Sequence, residues 1–203
     1  MPLLTTRQVS LISMMSAATI VVAYSKGFAL ASMPGVFEFM TVLIFVTGFS
    51  FGGLVGASVG VIALVVYMLI PFPFAHPAAW LFSISPVLLA VMALLGGMFG
   101  LGGALTSRFI KPQHTVKFSL SMALIGLVLT FIYDITSSIG FALAYPAFAS
   151  VWQSIILTFV PLYYPWPPIV HTFTNAVIFA TVAPVLAVAI RSLPEIGVQR
   201  AKS

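Results

Sequence analysis

The chain contains no cysteine. That excludes disulfides, thiolate metal sites, cysteine nucleophiles and palmitoylation. Charge is nearly as scarce. Only 5% of the 203 residues are Asp, Glu, Lys or Arg, against about 25% in a soluble domain. So few ions cannot coat a surface that faces water, which excludes a cytosolic enzyme and a disordered chain. Acids are the scarcest of all, three against eight Lys and Arg. No G-x-x-x-x-G-K-[ST] segment occurs, so the chain does not bind ATP by a P-loop. Any uphill transport it takes part in must draw energy from a partner or an ion gradient. The three histidines form neither H-E-x-x-H nor an i, i+4 pair, and neither a metal site nor a cofactor is expected.

What the sequence has in excess is apolar surface. Sixty-one per cent of residues are hydrophobic and the mean hydropathy is +1.19. These values describe a polytopic membrane protein. The net charge of +5 is then first an orientation signal, and no nucleic-acid partner is expected.

Apolar runs predict one domain, 1–203, with helices over about 7–30, 36–50, 51–70, 80–105, 117–144 and 167–192. The first run has signal-peptide features, but it is read as a retained helix because the rest of the chain also needs an insertion signal. Charge resolves the two ambiguous stretches. Arg7 marks the N-terminus; Arg108, Lys111 and Lys117 mark one loop; Arg191, Arg200 and Lys202 mark the C-terminus. If all seven lie in the cytoplasm, Val36–Ile70 must cross twice and Ala147–Tyr164 must not cross. Pro146, Pro161 and Pro165 break the latter segment into pieces too short to span. The expected fold is an all-α bundle of six transmembrane helices with both termini inside. A non-spanning segment separates the fifth and sixth helices.

Glycines recur at helical spacing, as Gly52, Gly56 and Gly60, and as Gly96 and Gly100. Small residues let helix backbones approach in lipid, so these ladders are read chiefly as internal packing. Gly56-Ala57-Ser58-Val59-Gly60 matches the hydrolase motif G-x-S-x-G, but it lies inside an apolar helix rather than at a strand–helix elbow. No catalytic set assembles elsewhere, and no enzymatic activity is expected.

The unusual polar groups fall at one end of the expected bundle, the outer one. Lys26 closes the first helix and Glu38 opens the second. His76 and Trp80 lie in the loop before the fourth. Asp134 is about 25 Å along the fifth helix from Lys117, with Ser138 one turn on. Trp166 precedes the sixth helix, and His171 and Asn175 share a face of it. Ionisable residues within a membrane are costly and are usually functional. An apolar, aromatic-lined pocket with a few polar groups is how a small molecule is held. Lys26 with Glu38 also suits a plain ion pair, and the aromatics an interfacial belt.

These residues carry a resemblance. Pro34-Gly35-Val36-Phe37-Glu38-Phe39-Met40-Thr41 leads into a short apolar helix, a glycine turn and a Gly/Ala-rich helix. Then come Pro71-Phe72-Pro73-Phe74 and His76-Pro77-Ala78-Ala79-Trp80. Tyr133-Asp134-Ile135 lies in the fifth helix, and Pro168-x-x-His171-x-x-x-Asn175-Ala176 opens the sixth. In this order the segments resemble the substrate-binding S components of energy-coupling factor (ECF) vitamin transporters, over about residues 10 to 192. The resemblance implies a capture subunit in the plasma membrane of a prokaryote. It would bind a vitamin or related micronutrient at the extracellular side. A transmembrane coupling protein and two ATPase subunits would deliver it. The entry segment and the last helix look closer to members proposed to carry cobalamin-like compounds. Many family members dock through Ala-x-x-x-Ala in the first helix. Here Ser13-x-x-x-Ala17 and Thr19-x-x-x-Ala23 keep the small-x-x-x-small pattern without the strict motif. The competing expectation is a stand-alone secondary carrier driven by an ion gradient through Asp134.

Overall fold

A computed structural model describes residues 4–29, 37–70, 85–144, 150–153, 156 and 168–192, with 26–29 and 168 described in backbone only. Every long element among them is a helix: α1 (Thr6–Ala29), α2 (Phe39–Phe51), α3 (Gly53–Leu69), α4 (Pro86–Phe109), α5 (Val116–Ala144) and α6 (Pro168–Ser192). The expected spans 7–30, 117–144 and 167–192 agree to within a residue. The fourth helix differs. Among the described residues it starts at Pro86, where the Ser85 hydroxyl accepts from Leu88 N and proline fills the first turn. That Ser-Pro pair is a helix-start signal in its own right. The helix also runs to Phe109 rather than 105. Arg108 therefore sits in its last turn, where a cation complements the carbonyl end of the helix dipole.

Four helices are long and apolar enough to cross a membrane, over Thr6–Ser25, Pro86–Phe109, Val116–Ala144 and Ile169–Ser192. Their outward faces are apolar. Leu94, Leu101, Leu105, Leu120, Leu124, Val177 and Val185 are all more than half exposed. A bundle surrounded by water would place charge at such positions. The protein is a membrane protein built from helices.

The pair α2 and α3 is different. At 1.5 Å per residue they are about 20 and 26 Å long, short of a hydrocarbon core of about 30 Å. In α2, every residue from Met40 to Ser50 except Leu43 is buried. This helix is apolar on all sides because protein surrounds it on all sides, with α1, α3, α4 and α6 packed against it. A helix shielded from lipid need not match the lipid's thickness.

The chain reverses between α2 and α3 at Gly52, whose φ of +97° is the one positive value among the described residues. Its N–H donates to Gly48 O (2.9 Å) and its carbonyl accepts from Gly56 N (3.0 Å). With ψ at 167°, this backbone conformation is almost confined to glycine.

The glycine ladders pack inward. Gly48 of α2, Gly56 of α3 and Gly100 of α4 meet at one point, and Gly60 meets Gly96 one turn away. A Cβ on Gly56, Gly60, Gly96 or Gly100 would collide with the facing backbone. These contacts set the directions of the helices. Gly48 faces Gly56 and Ile44 faces Gly60, so α2 and α3 are antiparallel. Gly56–Gly100 and Gly60–Gly96 make α3 and α4 antiparallel. Gly102–Leu129 and Val91–Gly140 do the same for α4 and α5. Between α5 and α6 the register is regular: Gly126 faces Phe179, Thr130 faces Asn175 and Asp134 faces His171.

The bundle therefore has two distinct ends. At one end lie the start of α2, the end of α3, the start of α4, the end of α5 and the start of α6. The last turns of α1 join them, since Tyr24 Oη donates to Ile70 O (2.8 Å) and the Tyr24 and Tyr67 rings lie 5.5 Å apart. The opposite end carries the Gly52 turn, the loop from Arg108 to Lys117, and Arg191.

Candidate functional site

Thr130, Asp134 and Ser138 form a four-residue ladder on α5. Each is buried, with Asp134 at 5% exposure, while Val128 and Ile132, on the far side of this stretch of helix, are exposed. Four-residue spacing keeps the three on one stripe. That stripe faces the stripe of α6 that carries His171, Thr172 and Asn175. Antiparallel packing thus brings two sets of polar residues, more than thirty residues apart in the chain, into register.

Both oxygens of Asp134 are satisfied across this interface. His171 Nδ1 donates to Oδ1 (2.8 Å), and Thr172 Oγ1 donates to Oδ2 (2.7 Å). A buried carboxylate is tolerated when paired and hydrogen-bonded in this way. Because the carboxylate accepts, Nδ1 carries the hydrogen. Nε2 is the ring nitrogen that Asp134 does not engage. The His171 side chain is 12% exposed against 6% for Asp134, so the imidazole is the accessible member of the pair. Its ring lies edge-on to Tyr133, with centroids 6.2 Å apart.

One turn deeper lies a second polar layer. Asn175 Nδ2 donates to Thr130 Oγ1 (2.7 Å) and to Thr41 Oγ1 (3.2 Å). Thr41 in turn donates to Glu38 O (3.2 Å). This layer ties α2, α5 and α6 together. Asn175 is fully buried, and its Oδ1 accepts no hydrogen bond among the described residues. An unmet buried acceptor costs about 1–3 kcal/mol, which an incoming donor recovers.

Glu38 caps α2, its Oε1 accepting from Met40 N (3.3 Å). It lies within electrostatic reach of the Tyr67 and Tyr133 hydroxyls. The described part of the site is thus one acid–imidazole pair, a capping carboxylate and two tyrosines at one end of the bundle. Among the described residues no group of three His, Asp or Glu is placed to hold a metal ion.

Of the residues singled out from the sequence, Asp134, Ser138, His171 and Asn175 come together, and Glu38 lies nearby. Ser138 is turned back on its own helix, donating to Asp134 O (2.7 Å). Lys26 is on α1, its side chain outside the described residues, as are His76, Trp80 and Trp166 altogether. The segment between α5 and α6 is described only at 150–153 and 156, where Trp152 is exposed. The first-helix docking residues divide. Ser13 and Ala17 face outward. Thr19 and Ala23 are buried, at 0% and 1% exposure. An offset of two residues turns Thr19 and Ala23 about 200° round the helix from the outward face of Ser13 and Ala17, so they pack toward the bundle. Sequence reasoning missed Thr41, Thr130 and Thr172. For Thr130 the signal was its place one turn before Asp134; the other two carried none.

No family model, no curated protein and no solved structure matches the chain.

Proposed function

We propose that the protein is a membrane-embedded substrate-capture subunit of the ECF type, taking up a vitamin-like small molecule. The observation that carries this reading is the buried Asp134–His171–Thr172 cluster, held at the end of an apolar bundle opposite Arg108, Lys111, Lys117 and Arg191. Buried polar groups of this kind are retained in a membrane interior for a ligand or an ion pathway. Their recognition chemistry is that of a small solute: Nε2 of His171 on an edge-on tyrosine, with the Glu38 carboxylate close by. Asp134, with both oxygens occupied, orients His171 rather than meeting the solute itself.

In this reading all six helices cross the membrane, α2 and α3 as a short hairpin with α2 enclosed by the bundle and α3 exposed on one side. The basic end faces the cytoplasm of a prokaryotic cell, by the positive-inside rule. The site then opens to the exterior. Energy comes from a separate coupling protein and two ATPase subunits. Ser13 and Ala17 supply the part of α1 left for docking.

A second reading has one observation in its favour. A carboxylate paired with an imidazole inside a membrane protein is a site where a proton can be gained and lost, as a stand-alone carrier requires. Two measurements separate the readings. Mass spectrometry of ligand retained in mild detergent, then thermal-shift tests with vitamins, reads the substrate. Uptake in cells lacking every ECF-type ATPase reads the energy source. Uptake that persists in those cells overturns the capture-subunit reading.

A further inference from the structure

The end of the bundle that holds the Asp134–His171 pair carries a negative charge that its contacts do not match. Both partners of the Asp134 carboxylate are neutral donors, the Nδ1–H of His171 (2.8 Å) and the Thr172 hydroxyl (2.7 Å). Hydrogen bonds of this kind steady a carboxylate without cancelling its charge. The first turn of α6 adds a dipole contribution of about half an elementary charge, which offsets Asp134 only in part. The Lys and Arg residues whose side chains are described, Arg7, Arg108, Lys111, Lys117 and Arg191, all lie at the opposite end. Lys26 is the cation of the last turn of α1. The sequence between the helix ends gathered here, 30–36, 71–84 and 145–167, contains no Asp, Glu, Lys or Arg. One lysine therefore stands against two acids. If Lys26 matches Glu38, the charge of Asp134 still has no counterpart, so the balance does not depend on how Glu38 is paired.

The hydrogen-bonding atoms left at the site have the same sense. With its hydrogen on Nδ1 committed to Asp134, the neutral His171 ring keeps Nε2 as an acceptor. A carboxylate behind the imidazole raises the basicity of that nitrogen. Asn175 Oδ1 is a second acceptor with no donor among the described residues. Aromatic rings add to this. The Tyr133 ring packs against His171 (centroids 6.2 Å apart) and Phe99 (6.0 Å), and Tyr24 pairs with Tyr67 (5.5 Å). The faces of such rings attract cations.

We infer that the solute taken at this site is an organic cation that carries N–H groups, a protonated amine or an amidinium. One N–H donates to His171 Nε2, in the place that a second ring proton would take. The positive charge meets the field of Asp134, which is weakly screened inside an apolar bundle, and the Tyr133 ring. A carboxylate or phosphate solute meets acceptors and a negative field, and is rejected. The inference rests on reading this end as the solute site, and narrows a vitamin-like molecule to a charge class.

The test uses the whole protein in phosphatidylcholine nanodiscs. Thermal unfolding is followed with probes that share one ring scaffold: pyridoxamine, whose amine is protonated near neutral pH, uncharged pyridoxine, and the pyridoxate anion. Mass spectrometry identifies the solute retained through purification in mild detergent. The expected results are a cationic retained solute and an apparent affinity for pyridoxamine at least about tenfold above that for pyridoxine, with no shift from pyridoxate. Asp134→Asn removes the preference. Tyr133→Leu lowers the affinity for pyridoxamine about fivefold, and Tyr133→Phe, which keeps the ring, restores most of it. Lys117→Gln, at the opposite end, leaves it unchanged. A shift with pyridoxine or pyridoxate equal to that with pyridoxamine overturns the inference. So does a retained solute that is neutral or anionic. Both results leave the capture reading standing. Uptake that persists without ECF-type ATPases does the reverse: it overturns the capture reading and leaves the charge class standing.

Discussion

Replacing His171 by alanine leaves the Asp134 carboxylate inside the bundle with one donor instead of two. Thr172 still donates to Oδ2, but Oδ1 loses its partner at 2.8 Å. Asp134 is 5% exposed, so most of the burial that penalises its charge remains when the imidazole is gone. Breaking a buried pair by removing one member costs about 3–5 kcal/mol. Thr172→Val removes only the hydroxyl donor and costs about 1.5–3 kcal/mol, the range for a hydrogen bond to a charged group. Removing the whole pair behaves differently. Asp134→Leu with His171→Phe leaves no buried charge, and Thr172 can turn its hydroxyl to the carbonyl one turn back, as Thr174 and Thr181 already do. That double variant is expected within about 1.5 kcal/mol of wild type, far less than the sum of its parts. Reversible unfolding in detergent or bicelles, followed by helical circular dichroism, measures wild type, His171→Ala, Thr172→Val, the single variants Asp134→Leu and His171→Phe, and their double variant. A His171→Ala cost below about 1 kcal/mol, or a double variant as unstable as the two singles added, refutes the reasoning.

Further expectations follow from other parts of the structure. Asp134→Asn keeps an acceptor for His171 and a donor toward Thr172 but loses the charge. The fold should persist while affinity for the co-purified ligand falls about tenfold or more, read by thermal shift with that ligand. Gly100→Ala drives a Cβ into the backbone of Gly56, with no flexible side chain to yield, and should destabilise by about 1–3 kcal/mol. Gly97→Ala meets only Val61 Cγ2 at 3.7 Å. It should be neutral or stabilising by up to about 1 kcal/mol, so unfolding midpoints of the two variants should move apart. Gly52→Ala meets nothing within 4 Å, so any loss of about 1–3 kcal/mol measures the backbone conformation alone.

Much was legible from the sequence because one-dimensional signals carry it. Scarcity of charge and length of apolar run give membrane helices, since lipid leaves the backbone few alternatives. Glycine spacing gives close helix approach, and the inward packing of Gly56, Gly60, Gly96 and Gly100 matches it. The site was partly legible. Asp134, His171 and Asn175 stand out because they are polar in apolar helices. Thr41, Thr130 and Thr172 do not, because a threonine in a transmembrane helix commonly satisfies itself on its own backbone. The α1 motif shows the limit. Small residues at i and i+4 read the same whether they face a partner or the bundle, and Thr19 with Ala23 faces the bundle.

The sequence by itself determined the class of protein, the number of long helices and the rarity, and so the importance, of its acids. Only the tertiary structure decided which polar groups meet. The Asp134–His171 contact spans 37 residues and depends on the register of α5 against α6. That register is a property of side-chain packing between two helices, with Gly126 admitting the Phe179 ring, and no local pattern encodes it. The same holds for α2. Its sequence marks a short apolar helix, but its place inside the bundle follows from the glycine contacts that hold it there.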